Sequence, residues 1–160
     1  MRMRLLVVLD EFTASRRTVA YLAKIVGRRR GLQQCLVHVL PRLPPALLES
    51  GGSEDQDAQL GARQQRWLVA GKRTAQQTFA RAKVALRKAS VPAHALDVQF
   101  FGALDGRSAA DRILELARAS RCRTVVIGRE SLSWFRELVR GDLAGELVRR
   151  GEGFTIWVVD

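Results

Sequence analysis

Two glycines near the end of the chain are the residues best placed to do chemistry. Gly128-Arg129-Glu130-Ser131 is followed by Leu132 to Arg140 and then by Gly141-Asp142, at the head of a short amphipathic run. Glycine lets the backbone approach a bound anion closely. A helix starting behind it offers unpaired N–H groups and the positive end of its dipole. Together these make a phosphate cradle. Asp10, directly after the apolar run Leu5 to Leu9, is the second polar point. A carboxylate there suits a ribose hydroxyl or an adenine amine, and it equally suits capping the loop into the next helix.

The other reactive side chains read as structural. His38 lies inside an apolar run and reads as a core histidine, and His94 has no acid or metal partner near it in sequence. Cys35 and Cys122 sit in or beside apolar runs, without CxxC or metal-ligand spacing, as small buried hydrophobes do. Gly71-Lys72 imitates a P-loop, but Arg66 stands where its first glycine belongs and Arg73 where Ser or Thr belongs. No nucleophile elbow, zinc-protease motif, dinucleotide fingerprint or catalytic triad is present. The expectation is a protein that is not an enzyme, with slow nucleotide hydrolysis the one activity left open.

The elements that would position the cradle follow from periodicity. Leu5 to Leu9 is continuously apolar, as a strand covered on both faces requires. Val19, Leu22, Ala23 and Val26 then recur on one helical face. Cys35 to Leu40 forms a second strand, stopped by Pro41. The stretch 41–59, rich in Pro, Gly, Ser and acids, reads as a surface loop. From Leu60 to Ala89 the pattern is helical, with Trp67, Ala70, Ala75, Phe79, Ala82 and Leu86 as its buried stripe. Leu96, Val98 and Phe100 alternate with polar residues, giving a strand wet on one face and hence an edge. Ser108 to Asp111 opens a further helix in capping-box fashion, lined by Ala110, Ile113, Leu114 and Ala117. Thr124 to Ile127 is a fourth strand, Asp142 to Arg150 a short helix, and Phe154 to Val159 a fifth strand. This βαβαβαβαβ order over a single domain, 1–160, predicts an open five-stranded parallel sheet with helices on both faces, a Rossmann-like α/β fold. Ligands of such sheets settle beyond the carboxyl ends of the strands, where strand order reverses. With the first and fourth strands as neighbours, that crevice falls after Leu9 and Ile127.

Here the residues resemble a known family. Val125-Val-Ile-Gly128, Leu132-Ser133 and Gly141-Asp-Leu-Ala144 are similar to the carboxyl-terminal half of universal stress proteins. Leu6-Val-Val-Leu-Asp10, Leu36-Val-His-Val39 and the element order resemble the rest. The resemblance implies strand order 3-2-1-4-5 and a homodimer. It also implies, in one branch of the family, ATP bound through a G-x2-G-x9-G-[ST] loop with an aspartate ending the first strand. It carries onto this chain a candidate ATP or AMP crevice of Asp10, Val39, Gly128, Arg129, Ser131, Gly141, Asp142 and Leu143.

Two positions depart from that loop. Ser131 replaces the middle glycine, and Asp142 replaces the small hydroxyl that donates to phosphate in relatives. A carboxylate cannot donate. At ~4 Å from a phosphate it costs roughly 1 kcal/mol in water and about 4 at an effective dielectric of 20. Asp142 reads first as a helix N-cap, where its charge suits the dipole; a Mg²⁺ or Mn²⁺ bridge and tolerated repulsion are the alternatives. No other metal ligand is expected, and no resident cofactor.

The wider composition is that of a cytoplasmic globular protein, 47% hydrophobic and 27% charged, with no membrane span and an initial apolar run too short for a signal peptide. The net charge of +11 is spread along the chain and rests on arginine. It reads as a solvated surface ahead of a nucleic-acid footprint. Phe154 to Val159 lacks the charge or proline that guards an exposed edge, so pairing with a second copy is expected there. Trp134 and Phe135 offer an apolar patch for an unidentified protein partner, or pack back on the sheet. The function expected is a stress-related regulatory or protein-interaction module with weak or lost ATP binding. An ATP- or AMP-binding signalling domain and a basic nucleic-acid-associated protein are the alternatives.

Overall fold

A computed structural model describes residues 3–9, 13–26, 29, 31–40, 44–49, 51–91, 96–102, 109–128 and 143–159. In chain order these form β1 (Met3–Leu9), α1 (Thr13–Val26), β2 (Leu32–Leu40), a 3-10 turn at Pro45–Leu47, α2 (Glu54–Lys88), β3 (Leu96–Gly102), α3 (Ala109–Ala119), β4 (Thr124–Gly128), α4 (Leu143–Arg150) and β5 (Thr155–Val159). The strands hydrogen-bond in the order β3-β2-β1-β4-β5, and every neighbouring pair is parallel. β2-β1-β4-β5 form the body of the sheet, and β3 joins it along β2.

Alternation along the strands divides the core in two. Leu6, Val8, Cys35, Val37, Val125 and Ile127 point to one side, where α3 and α4 cover them with Ala110, Ile113, Leu114, Ala117, Leu143 and Leu147. Leu5, Val7, Leu9, Leu36 and Val126 point to the other, beneath Val19, Leu22 and Val26 of α1 and Ala75, Phe79, Ala82 and Leu86 of α2. β1 is therefore buried on both faces and both edges, and Leu5 to Leu9 are fully inaccessible. Arg150 of α4 donates to Asp111 of α3 at 2.8 Å, tying the two helices of one layer at their surface.

α2 corrects the expectation of a surface loop at 41–59 and of a helix beginning at Leu60. The helix starts at Glu54, with Ser53 as its N-cap accepting from the Gln56 amide at 3.3 Å. Glu54, Asp55 and Asp57 fill its first turn. The acids that read as loop composition are there because a helix N-terminus favours negative charge. The buried stripe is shorter than expected: Trp67 is only half-buried and Ala70 is exposed. Register takes Ala70 to the face opposite Ala75, Phe79, Ala82 and Leu86, and the helix also outruns the sheet. Thirty-five residues make a helix of about 52 Å, against about 30 Å for the nine residues of β2. α2 runs antiparallel to the strands, so its amino-terminal half extends past their carboxyl ends. There Gln64 Nε2 donates to the Leu47 carbonyl at 2.6 Å, fastening the 3-10 turn to the helix.

Gly151, buried between α4 and β5, is held by close approach: a Cβ there would run into the Leu147 carbonyl oxygen, with Ile156 and Leu114 side chains 3.5 Å away. Gly151→Ala should lower stability by about 1–3 kcal/mol, as overpacking of a rigid core does. Thermal unfolding checks this, and an unchanged midpoint would show that the turn yields.

Candidate functional site

The ligand end of the sheet is fixed by topology. From β1 the chain winds outward to β2 and β3 under α1 and α2, and β4 and β5 lie on the other side of β1. Strand order therefore reverses between β1 and β4, where diverging connections leave a crevice beyond the carboxyl ends. These two strands pair up to Val8 with Ile127, which brings Leu9 and Gly128 side by side at that edge.

Three of the sequence-derived site residues fall within the described residues, and all three lie here. Gly128 closes β4, is buried, and pairs with Val159 of β5. Val39 is in β2, next to its last residue, opposite Phe101 of β3. Leu143 is the first residue of α4 and is 4% exposed. It packs into the cluster that holds Val125 and Ile127, so the mouth of α4 and the end of β4 share one buried support. Asp10, Arg129, Ser131, Gly141 and Asp142 lie outside the described residues, as do His94, Trp134 and Phe135.

Glu146 escaped the sequence reading. It sits in the first turn of α4, 8% exposed, and its Oε2 has no hydrogen-bond partner among the described residues. The signal was available: flanked by Leu143 three residues before and Leu147 one after, it lies on the buried face of an amphipathic helix. The helix dipole is a favourable field for a carboxyl group there. Glu146 thus adds a buried acidic group to the first turn of α4. Gln34 was missed likewise. It is 1% exposed within β2, and neither amide atom has a partner among the described residues.

His38 is buried at 2% exposure, edge-on to Phe79 of α2 with ring centroids 6.0 Å apart, which is core packing on the α1/α2 side of the sheet. Among the described residues no group of three or more His, Cys, Asp or Glu could hold a metal ion, and no helix is long and apolar enough to cross a membrane. Gly71-Lys72 lies within α2, not in a loop between strand and helix, so it has no P-loop geometry.

A doubly wound parallel domain with a ligand crevice at its switch point is the class these features define. The chain belongs to the universal stress protein family, whose model matches residues 1–153. No curated protein matches it in sequence. Among solved structures it is similar to the universal stress protein of Archaeoglobus fulgidus in complex with dAMP, at 18% identity over 100% of both chains and a TM-score of 0.56. A family member from Burkholderia pseudomallei is 14% identical over 99% of this chain and 96% of that one, with a TM-score of 0.64. A universal stress protein in complex with cAMP is 13% identical over the same shares, with a TM-score of 0.60.

Cys35 and Cys122 are free thiols, each 1% exposed, beneath the α3/α4 layer. Reagent access to them requires opening of the core. A thiol-specific chromogenic reagent should titrate neither in the native protein and both in denaturant; rapid native reaction would mean that this layer opens readily.

Proposed function

We propose that the protein is a stress-related regulatory domain that admits adenine nucleotides at the β1/β4 switch point and binds ATP weakly. It acts by recognition, without catalysis, in the cytoplasm. The observation that carries the reading is the first turn of α4, where Leu143 packs into the cluster that holds Val125 and Ile127 of β4 and the carboxyl group of Glu146 is buried. Family membership, and the dAMP and cAMP complexes of similar structures, support an adenine ligand. The acidic side chains argue against a highly charged one. Asp142 adds a carboxylate in the sequence position where relatives carry a hydroxyl that donates a hydrogen bond to phosphate. Repulsion grows with phosphate charge, so AMP is discriminated against less than ATP.

Calorimetric titration with ATP and AMP, with and without Mg²⁺ and Mn²⁺, is the direct test. The expected result is an ATP affinity no tighter than that for AMP and well short of submicromolar. Submicromolar ATP binding would sink the proposed weakness, and metal-dependent binding would make Asp142 a ligand. Asp142→Ser with Ser131→Gly should recover ATP affinity, by up to about a thousandfold if ~4 kcal/mol of repulsion is relieved. No nucleotide binding by either form would eliminate the crevice itself.

The same reading includes a homodimer through β5. This strand ends the sheet, and among the described residues no further strand pairs its outer edge. Val158 is 42% exposed on it. An apolar edge of this kind favours pairing with a second copy. Sedimentation should show a dimer, and Val158→Lys should shift it to monomer with the fold retained; a wild-type monomer at high concentration would refute the pairing.

A further inference from the structure

Among the described residues, the cations of the two helical layers are not evenly disposed. α3 and α4 carry Arg112, Arg118, Arg149 and Arg150 against Asp111, Glu115 and Glu146. Two of these cations are paired, Arg112 with Glu115 at 3.2 Å and Arg150 with Asp111 at 2.8 Å, and Arg118 lies over the Phe154 ring. The opposite layer is different. α1 has three cations and no acid, and α2 has eight cations with its three acids confined to the first turn.

Helical register turns this excess into a line. Arg63, Arg66, Arg73, Arg81 and Lys88 recur at i, i+3, i+10, i+18 and i+25, each within about a quarter turn of a whole number of turns. All five are exposed and lie opposite the stripe Ala75, Phe79, Ala82 and Leu86 that α2 buries. They span about 37 Å of helix. Ala70, Gln77 and Val84 fill the gaps, and Asp55, about two turns before Arg63, is the one acid at that end of the face. None of the five forms an ion pair with a described residue. Exposed Arg17 and Lys24 of α1 extend the same layer.

We infer that the outer face of α2 is a docking surface for the phosphate backbone of double-stranded DNA, bound without sequence selection. Four of the five cations are arginines, whose guanidinium forks match phosphate oxygens. Between Glu54 and Thr74 no residue of α2 is buried, so this half of the helix is open to a partner. Its diameter of about 10–12 Å suits the major groove of B-form DNA, about 12 Å wide. A-form RNA offers only a deep, narrow major groove. A membrane is the poorer fit, because from Ala75 onward the apolar face a surface helix would insert is spent on the sheet. The inference is independent of the nucleotide crevice.

The test is fluorescence anisotropy with the full chain and a labelled mixed-sequence DNA duplex of roughly 24 base pairs, long enough at 3.4 Å per step to cover the stripe. Five neutralised phosphates give a slope of log affinity against log salt near −4.5, so binding should loosen about 500-fold between about 50 and about 200 mM salt. Arg66→Gln/Arg73→Gln/Arg81→Gln should reduce the slope by about 2.7. Glutamine is nearly as good a helix former as arginine, and the corresponding triple lysine variant should keep the slope. Arg121→Gln/Arg123→Gln/Arg149→Gln removes equal charge from exposed sites off the stripe and should change the slope by less than about 1. Equal losses in the two glutamine triples would reduce the effect to net charge and overturn the inference. So would absence of duplex binding at the lowest salt. Stripe-dependent binding that is tighter to duplex RNA or to phosphatidylserine vesicles would overturn DNA as the occupant.

Discussion

Enclosure of β1 is the constraint from which the rest of the molecule follows. A strand with both faces and both edges covered can contribute only apolar side chains and backbone hydrogen bonds, and Leu5 to Leu9 do that. Because β2 and β4 take its two edges, the chain must wind away from it in two directions. The divergence creates the crevice, and the site inherits its position from the most hydrophobic segment of the fold. Leu9 closes β1 and Gly128 closes β4 at the end of the sheet where this divergence occurs.

Sequence alone made the α/β alternation, its parallel class and most core residues legible. Continuous apolar runs identified the central strands, and Ala110, Ile113, Leu114 and Ala117 of α3 lie buried as their period requires. What failed was the start of α2. Acids, glycines and prolines before Leu60 resemble loop composition, but Glu54, Asp55 and Asp57 answer the unpaired amides of a helix N-terminus. Composition read over a window cannot separate these causes, whereas the N-cap at Ser53 can. Trp67 and Ala70 misled differently. Ala70 falls on the face opposite the buried stripe, in register with Arg63 and Arg81, and Trp67 lies at the stripe's flank where the helix outruns the sheet.

Near the candidate site, the end of β4 and the short helix α4 were legible because apolar runs and amphipathic periods leave a pattern. Burial of a lone polar group leaves none unless the apolar register around it is traced, and Glu146 and Gln34 were missed for that reason. The charge total carries no placement by itself. Spread along the sequence, the arginines read as solvation; wound onto α2, five cations fall into line.

The overhang of α2 has a consequence for how firmly the protein is held together. From Ala75 onward the helix is pinned by buried side chains, so its amide hydrogens exchange only when the core opens. Between Glu54 and Thr74 no residue of α2 is buried, and among the described residues Gln64 to Leu47 and the Gly51 amide to Asp57 tie this half to the preceding chain. One continuous helix thus spans two regimes of protection, a core-locked half and a half that unwinds locally with the domain intact. The change between them falls within a single turn, at the edge of the sheet.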